Sequence, residues 1–340
     1  MMDKEHIQLA HGGGGELTAE LIEGVILPAL AGPQRPGRLT DAAIVPAGGV
    51  KFAFTTDSYV VRPLEFPGGD IGKLAVAGTV NDLSVVGAKP LAMSLALVIR
   101  EGFEIALLAR LLESAGRTAR EAGVAIVTGD TKVVEHDACD GLVINTSGIG
   151  LLHENAALGF ERVAAGDAIL LSGPLGEHAL AVMSKRRGLS FTSELISDCA
   201  SIAPLSRSLL DRFGRDVHFM RDPTRGGLAA VLADLAEATG RGIEIRETAI
   251  PVNRAARAAA EMLGLDLLSS ANEGKLLSVV AAGVAEQAVE VLARHDLAAH
   301  AAIIGVVGEL GDHPLVEMVT TVGGRRVVQR PYGEDLPRIC

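Results

Sequence analysis

The chain has 340 residues, and a typical domain length of about 150 residues predicts two domains. Hydrophobic residues make up 48% and aromatic residues only 3%, so the cores must be closely packed helices and sheets with little aromatic filling. The net charge of −11 argues against a nucleic-acid partner, because proteins that bind nucleic-acid phosphates present a basic face.

The first half is predicted to form an N-terminal domain over residues 1–155. It opens with a run of four glycines at residues 12–15. The spacing of apolar residues then predicts, in chain order, a helix over 17–30, a strand over 51–61, a buried helix over 70–87, a strand over 91–99, an amphipathic helix over 105–123 and strands over 124–127 and 142–151. This half therefore mixes strands with helices packed on them.

The second half is predicted to form a C-terminal domain over residues 156–330. The predicted elements are a strand over 167–172, helices over 177–187, 204–213 and 225–239, a strand over 243–245, a helix over 253–263, a strand over 275–281, a helix over 284–295 and a strand over 303–309. The last strand, helix and strand are what a ferredoxin-like layer needs. Both halves indicate an α+β fold, with helices on one face of a mostly antiparallel sheet.

Residues 331–340 are predicted to be a mobile tail that carries Cys340. The segment has two prolines and no periodicity, and at about 3.1–3.3 Å per residue it can reach about 30 Å. A thiol is the side chain best able to carry an acyl-type group as a thioester-like adduct. On composition alone, however, a terminal cysteine can equally be accidental.

Nothing in the sequence predicts export or a membrane location. The first six residues are not a basic leader and no apolar stretch follows them, so we expect no signal peptide. The most apolar stretch, residues 74–99, is interrupted by polar residues and a proline. The three cysteines are too widely spaced for a disulfide framework or a zinc site. We therefore expect a cytoplasmic protein without a membrane partner.

Three acidic residues in apolar surroundings suggest a site for Mg²⁺. Asp57 lies inside a predicted strand, Asp82 lies in the middle of a predicted helix, and Asp130 ends an apolar strand. Carboxylates are rarely buried without a partner, and several that converge would be suitable Mg²⁺ ligands. Each of them taken alone is as easily a capping or turn residue.

Other segments could bind phosphate or line a cleft. Gly14 and Gly15 belong to the glycine run, which could wrap phosphate with its backbone N–H groups but could also be a flexible linker. Residues 221–227 begin a predicted helix with Thr224 as its N-cap, and their two arginines could pair with carboxylates or anions. Residues 271–275 form a turn between two apolar runs and could face a cleft.

These motifs resemble those of the HypE family of hydrogenase maturation factors, in the aminoimidazole-ribonucleotide-synthetase (PurM)-like superfamily. The resemblance rests on TTDS (55–58), FPGGDIGKLAV (66–76), GTVNDL (78–83), TGDTKVV (128–134), NTSGIG (145–150), RDPTRGGL (221–228), ANEGK (271–275) and the ending PRIC (337–340). It extends from residue 11 to the last residue, and the ending is its most specific element.

The resemblance implies a fold and an activity. The fold is a two-domain α+β PurM-like fold that dimerises through the N-terminal domains, whose strands form a barrel across the interface. The activity is the ATP-dependent dehydration of an S-carbamoyl group on Cys340. The carbamoyltransferase HypF places the carbamoyl group, ATP phosphorylates its oxygen, and loss of phosphate with a proton leaves a thiocyanate. The HypC–HypD complex then accepts the cyanide ligand for nickel–iron hydrogenase.

The resemblance also implies roles for particular residues. The residues expected to bind ATP are Gly14, Gly15, Asp57, Asp70, Lys73, Asp82, Asp130 and Asn145, and among them Asp57, Asp82 and Asp130 are expected to hold Mg²⁺. Phosphoryl transfer needs positioning and charge neutralisation more than covalent help, which such a set supplies. Cys340 carries the reacting group. Removal of the amide proton needs a general base, and both Glu273 and Lys132 are candidates.

Two alternative functions stay open on the sequence. A related enzyme, such as a selenophosphate synthetase or a thiamine-monophosphate kinase, would share the aspartate motifs but act on a diffusible substrate. No cysteine precedes Cys139, as a selenophosphate synthetase would need near its glycine-rich segment, and neither enzyme has reason to end in PRIC. A non-enzymatic module, in which Cys340 only binds a metal or a partner, is disfavoured by the aspartates in apolar settings.

Overall fold

The structure, a computed structural model, describes residues 6–30, 40–189, 195–333 and 339. The helices are α1 (Glu16–Leu21), α2 (Leu27–Leu30), α3 (Ile71–Val85), α4 (Ile105–Ala122), α5 (Glu177–Arg186), α6 (Ala203–Phe213), α7 (Gly227–Thr239), α8 (Arg254–Leu263) and α9 (Ala285–Leu292), with a π-helical turn at Ile22–Ile26 between α1 and α2. Short 3-10 turns lie at Leu9–Gly12, Phe160–Arg162, Gly214–Asp216, Glu247–Ala249, Ala282–Val284 and Asp296–Ala298. Most of the predicted tail, including Cys340, lies outside the described residues.

The strands form two main sheets and one small hairpin. They are β1 (Ala43–Ala47), β2 (Val50–Tyr59), β3 (Glu65–Phe66), β4 (Gly69–Asp70), β5 (Ala88–Arg100), β6 (Ala125–Val134), β7 (Leu142–Leu152), β8 (Ala168–Leu171), β9 (Val217–Arg221), β10 (Arg241–Arg246), β11 (Leu277–Val280), β12 (Ala302–Leu310), β13 (Val316–Val319) and β14 (Arg325–Val328). The first sheet has the order β1-β2-β7-β5-β6, the second has the order β14-β13-β10-β12-β8-β11-β9, and β3 pairs with β4.

The first sheet is covered by helices on one face only. Helix α3 packs against β2, β5 and β7, and α4 packs against α3 and β6. Because α3 also contacts α6 and β9 of the second half, it is buried nearly all round and is apolar at most positions, as a buried helix must be. On the opposite face of the sheet, large apolar side chains such as Phe54, Leu91 and Ile149 are exposed. The predicted arrangement, with helices on one face, is therefore correct for this half.

The second sheet is covered on both faces, so the same prediction is wrong for the second half. Helix α7 shares an apolar cluster with alternate residues of the central strands, among them Ile169 and Val279. Helices α6 and α9 share another cluster with the intervening residues, such as Leu170 and Val280. The sequence carries the reason, because β8 and β11 are buried at every position and do not alternate between apolar and polar residues.

The predicted helices and strands are present to within a few residues at their ends, with one exception. Strand β6 continues to Val134, because its β-branched second half pairs in parallel with β5. Residues 128–132, which were expected to follow this strand, are therefore inside it. Several strands were not predicted; β1, β9 and β14 are short strands at sheet edges, and β13 lies next to β14. None of the described helices is both long and apolar enough to cross a membrane.

Asn81, in the middle of α3, joins the two halves of the chain. Its side chain is fully buried, and its Nδ2 donates to the carbonyl oxygens of Ala200, at 3.1 Å, and Glu273, at 3.3 Å. Its Oδ1 accepts a hydrogen bond from the Ile202 N–H at 2.9 Å. One amide therefore satisfies three backbone groups from the second half of the chain.

We expect Asn81→Ala to lower the free energy of unfolding by about 3 kcal/mol, because it leaves the Ala200 carbonyl and the Ile202 N–H without their partner. The Glu273 carbonyl keeps a second hydrogen bond, from the Ala200 N–H at 3.2 Å. Chemical denaturation followed by circular dichroism measures this change. The matched control is Asn155→Ala, the same substitution at an exposed asparagine, which should stay within about 0.5 kcal/mol of the parent. Equal stability of the two variants would show that Asn81 does not hold the halves together.

Candidate active site

A cleft of about 810 Å³ lies between the N-terminal segment, the first sheet and the loop before α7. Gly14 and Gly15 line it, as do Asp57 and Asp82. Gly14 has a φ of +76°, and a Cβ at this position would clash with Arg225. Only glycine fits such a left-handed position pressed against another side chain. Four of the residues predicted to bind ATP are thus brought together in one cleft.

Three carboxylates converge on the floor of this cleft. Ligand oxygens of Asp41, Asp82 and Asp222 all lie within 4.8 Å of one another. They come from three different parts of the chain. Asp41 lies just before β1, Asp82 lies within α3 and Asp222 lies just after β9. Asp57, on β2, lines the same cleft. The sequence predicted a cluster of aspartates; of its members, Asp82 belongs to the observed cluster and Asp57 lines the same cleft.

Burial and repulsion from neighbouring carboxylates raise the pKa values of two of these carboxyls, Asp82 and Asp222. The pKa of Asp82 is well above its ordinary value, first because of burial and then because of Asp57, Asp222 and Asp41. The pKa of Asp222 is raised to about 8, again mainly by burial and then by Asp41. Asp222 Oδ2 is buried and has no hydrogen-bond partner among the described residues.

The donor set fits a hard cation such as Mg²⁺, which prefers oxygen ligands and carboxylates above all. A buried carboxylate oxygen without a partner, close to two further carboxylates, supports this fit. The surrounding groups compensate the negative charge only in part. Arg221 forms ion pairs with Asp41, at 3.2 Å, and with Asp234, at 3.0 Å, and the Thr55 hydroxyl donates to Asp82 at 2.8 Å.

A smaller cavity of about 40 Å³ adjoins the cleft and holds Glu273. It shares Asp57, Asp82 and Asp222 with the cleft, and Tyr59 lines it as well. Glu273 is 2% exposed, and its Oε1 has no hydrogen-bond partner within the described part of the chain. Burial raises the pKa of Glu273 well above its ordinary value, and the nearby Asp222 and Asp198 raise it further.

Asp70 and Lys73 lie at the other end of α3, outside the cleft. Asp70 is the N-cap of this helix, and its side chain accepts hydrogen bonds from the backbone N–H groups of Gly72, at 2.8 Å, and Lys73, at 3.0 Å. The Lys73 ammonium donates to the Gly68 carbonyl at 2.9 Å. Asn145 is also separate, since it pairs with Ser58 on the uncovered face of the first sheet.

Asp130 and Lys132 lie on β6, an edge strand of the first sheet. Their side chains are 62% and 68% exposed and form an ion pair at 3.1 Å. Hydrogen bonds from Lys132 and from the Thr131 backbone lower the pKa of Asp130. Neither residue lines the cleft. A single chain therefore brings Asp57 and Asp82 together but leaves Asp130 apart from them.

The sequence reasoning missed Asp41 and Asp222 as members of the cluster. Asp222 lies in the RDPTRGG segment, whose two arginines were predicted to pair with carboxylates or anions. The prediction that Thr224 caps the following helix is wrong. Helix α7 has Gly226 at its N-cap, since Gly226 and Gly227 form a turn with φ angles of +77° and +61°. Thr224 instead lines both cavities.

Cys340 lies outside the described residues, but the residue before it is placed. Ile339 is 1% exposed and belongs to the same cluster of buried apolar side chains as Tyr59 and Ala271. Tyr59 lines the Glu273 cavity, and Ala271 lies two residues before Glu273 in the chain. Ile339 is therefore bound in the same apolar core that supports one wall of the Glu273 cavity.

The chain is similar to proteins of one kind along nearly its whole length. Residues 39–152 match the family described as AIR synthase related protein, N-terminal domain, and residues 164–315 match the corresponding C-terminal domain. Carbamoyl dehydratase HypE of Bradyrhizobium diazoefficiens is 46% identical over 334 residues, which cover 98% of this chain and 96% of that protein.

Two solved structures are also similar. A chain in a crystal structure of a HypE–HypF complex has a TM-score of 0.85 and 44% identity, over 92% of this chain and 99% of that chain. A crystal structure of the hydrogenase maturation protein HypE in complex with ATP has a TM-score of 0.82 and 42% identity, over 98% of this chain and 100% of that chain.

We expect Mg²⁺ to stabilise the protein more as the pH rises. Carboxyls with raised pKa values stabilise the metal-free fold while they are protonated, and this stabilisation is lost as the pH rises through about 8, the pKa of Asp222. A cation replaces the missing protons, so the difference in melting temperature between Mg²⁺ and EDTA should grow from pH 6 to about pH 8 by roughly the equivalent of 1.4 kcal/mol per pH unit and should level off above that pH. Differential scanning calorimetry measures it.

The matched variants are Asp222→Asn, which should flatten this dependence, and Asp312→Asn, which removes an exposed carboxylate far along the chain and should leave it unchanged. If Mg²⁺ stabilises the Asp222→Asn variant as much as the parent at every pH, these carboxylates are not the cation site.

Proposed function

The chain belongs to the AIR synthase related family and, within it, to the HypE proteins, and from this premise we propose that it is an ATP-dependent carbamoyl dehydratase that acts on its own Cys340. The observation that carries this proposal is the position of Ile339. The residue next to Cys340 is buried in the same apolar cluster as Tyr59, which lines the Glu273 cavity. A reacting group on Cys340 would thus be tethered next to the carboxylate cleft.

The reaction converts a poor leaving group into a good one. The carbamoyl group on the Cys340 sulfur has the form S–C(=O)–NH₂, and its oxygen cannot leave as it stands. Transfer of the terminal phosphoryl group of ATP to this oxygen, with loss of one N–H proton, gives S–C(–O–phosphate)=NH and ADP. Loss of the second N–H proton and of phosphate then gives S–C≡N. The product nitrile is the cyanide ligand that the family supplies to nickel–iron hydrogenase.

ATP is proposed to bind in the cleft, as the solved ATP complex of a 42% identical HypE chain supports. Gly14 and Gly15 would present backbone N–H groups to its phosphates. Asp41, Asp82 and Asp222, with Asp57 beside them, would hold Mg²⁺, which when bound neutralises charge on the transferred phosphoryl group. These residues position the phosphates, which is most of what phosphoryl transfer requires.

Glu273 is the better candidate for the base that removes the N–H protons. It lies in the cavity next to the carboxylate cluster, and its raised pKa makes it a stronger proton acceptor than an ordinary carboxylate. Lys132 is exposed, paired with Asp130 and apart from the cleft of its own chain. It can reach a reacting group only in the site of a second copy, so we assign it to charge stabilisation across a dimer.

A homodimer built on the first sheets is supported by two features of the surface. The uncovered face of this sheet exposes apolar side chains, including Phe54, Ile149 and Leu151. The edge strand β6 is exposed along nearly its whole length, and Val127 and Val133 on it are 66% and 68% exposed. Two copies that pair here would close a barrel and cover both features. The Asp130 and Lys132 pair would then lie at the interface.

We also propose a domain boundary and two partner proteins. A boundary near residue 155 agrees with the two family matches, and β11, α9 and β12 run in the order that a ferredoxin-like layer needs. HypF is the proposed carbamoyl donor, since a 44% identical chain is solved in a HypE–HypF complex. The HypC–HypD complex is the proposed cyanide acceptor, as the resemblance to the HypE family implies.

We expect a HypF protein with its carbamoyl donor to add one carbamoyl group to Cys340, and Mg-ATP to remove one water from the adduct. Mass spectrometry of the C-terminal peptide measures both changes. Cys340→Ala should take up no carbamoyl group and cleave ATP only slowly, because the phosphoryl acceptor is missing. The control Cys139→Ala removes a thiol in a different region and should behave like the parent. Vigorous ATP cleavage by Cys340→Ala would favour a kinase with a diffusible substrate.

We expect Val127→Asp to convert the dimer into monomers, because it places a charge on the proposed apolar interface. Analytical ultracentrifugation measures the mass, and ATP turnover by the carbamoyl-loaded protein should fall by about tenfold or more if Lys132 acts across the interface. Val322→Asp is the control, since Val322 is also exposed, at 94%, but lies in the turn between β13 and β14. A dimeric, active Val127→Asp variant would contradict this interface.

A further inference from the structure

His178 is a fully buried side chain that binds the end of the chain. It lies in the first turn of α5, and its Nε2 is 2.6 Å from the main-chain carbonyl oxygen of Ile339. Its Nδ1 is 2.8 Å from the hydroxyl oxygen of Ser197. A carbonyl oxygen can only accept a hydrogen bond, so Nε2 must carry a proton and donate it to Ile339.

Ser197 fixes this tautomer. The Cys199 N–H donates to the Ser197 hydroxyl oxygen at 3.1 Å, which leaves the hydroxyl proton for Nδ1 of His178. Burial lowers the pKa of His178, so the imidazole is neutral at neutral pH and Nδ1 is free to accept. The hydrogen bonds therefore run in one direction, from Cys199 through Ser197 and His178 to Ile339.

Apolar contacts complete the binding site for Ile339. Its side chain belongs to the buried cluster that includes Phe66 and Ala179. The Phe66 ring meets the His178 ring edge-on, with the centroids 5.3 Å apart and the planes at 86°. The imidazole is thus held by an aromatic contact as well as by Ser197, and its donor cannot turn away from the Ile339 carbonyl without breaking both.

The same segment that orients His178 also holds the turn that carries Glu273. Asp198 follows Ser197, and its carboxylate accepts hydrogen bonds from the backbone N–H groups of Glu273 and Gly274, each at 3.2 Å. Lys275 pairs with Asp198 at 3.5 Å and with Glu177, the neighbour of His178, at 2.8 Å. Residues 197–199 therefore fix the site for Ile339 and the Glu273 turn relative to each other.

We propose that His178 is a positioning residue for the dehydration at Cys340, which it holds in place by binding the Ile339 carbonyl. This inference rests on the proposed function. The bound carbonyl belongs to the peptide group that links Ile339 to Cys340, so the contact is one bond from the backbone of the reacting residue. His178 contacts the end of the chain through a main-chain atom, the Ile339 carbonyl oxygen. The contact is therefore the same whether the Cys340 thiol is free, carbamoylated or converted to a thiocyanate.

The test compares two replacements of His178. His178→Phe keeps a ring against Phe66 but has no donor for the Ile339 carbonyl, whereas His178→Gln retains an N–H group at a similar reach. We expect His178→Phe to slow the single-turnover conversion of the carbamoyl group, followed by mass spectrometry, by about tenfold, the usual cost of one lost hydrogen bond. The KM for ATP should not change, and His178→Gln should recover part of the rate.

The second measurement is tryptic cleavage after Arg338, which requires the end of the chain to leave its site. Cleavage should be several-fold faster in His178→Phe than in the parent. Ser206→Ala is the control, because it removes another buried hydrogen bond, 2.6 Å from the Ser84 carbonyl, and destabilises the fold away from His178. Ser206→Ala should be cleaved at the parent's rate. If it is cleaved as fast as His178→Phe, the faster cleavage is an effect of lower stability and the proposal is overturned.

The other outcomes also test either the positioning role of His178 or the proposed function. If His178→Phe converts its carbamoyl group at the parent's rate, or is cleaved no faster, the positioning role is wrong. If the parent itself loses no water, the proposed function fails, and tryptic cleavage still tests whether His178 binds Ile339. If His178→Phe does not fold, Ser197→Ala replaces it, because it removes the donor that fixes the tautomer and should slow conversion without a change in KM for ATP.

Discussion

Repulsion between buried carboxylates is the interaction on which the rest of the structure depends. Asp41, Asp82 and Asp222 lie close together in a cleft where burial already disfavours the charged forms of Asp82 and Asp222. Arg221 and the Thr55 hydroxyl offset part of this cost, and one oxygen of Asp222 has no protein partner in the described part of the chain. A cation or a proton must therefore supply the rest. Binding of the ligand and stability of the fold are two aspects of the same interaction.

The carboxylates also explain why the halves of the chain are joined so tightly. Asp82 is on a helix that packs on the first sheet, whereas Asp222 follows an edge strand of the second. Mutual repulsion would separate them if the elements could move apart. Asn81, next to Asp82, prevents this by binding three backbone groups of the second half. The adjacent residues on α3 thus have opposite roles, one stabilising the junction and one carrying the charge.

The sequence predicted most of the helices and strands, and four of the eight residues expected to bind ATP line the candidate cleft. The predictions that failed share a cause. Asp82 was recognisable because a carboxylate in the middle of an apolar helix breaks a strong local pattern. Asp41 interrupts no pattern, and only the pairing of β1 with β2 and the packing of α3 on β2 bring it close to Asp82. Asp130 breaks its pattern as clearly as Asp82 does, but β6 is an edge strand, so the same signal marks an exposed surface. Local periodicity identifies an unusual residue; strand order decides where it faces.

The binding of Ile339 suits a substrate that is part of the enzyme. A covalent tether already gives the reacting group an effective concentration on the order of millimolar, so the site needs to supply orientation more than affinity. Within the described part of the chain, the hydrogen bond from His178 and the buried Ile339 side chain supply that orientation. A larger set of contacts would oppose release, and the same thiol must reach a carbamoyl donor and a cyanide acceptor outside the cleft. A main-chain contact beside a single apolar side chain therefore orients the group without trapping it.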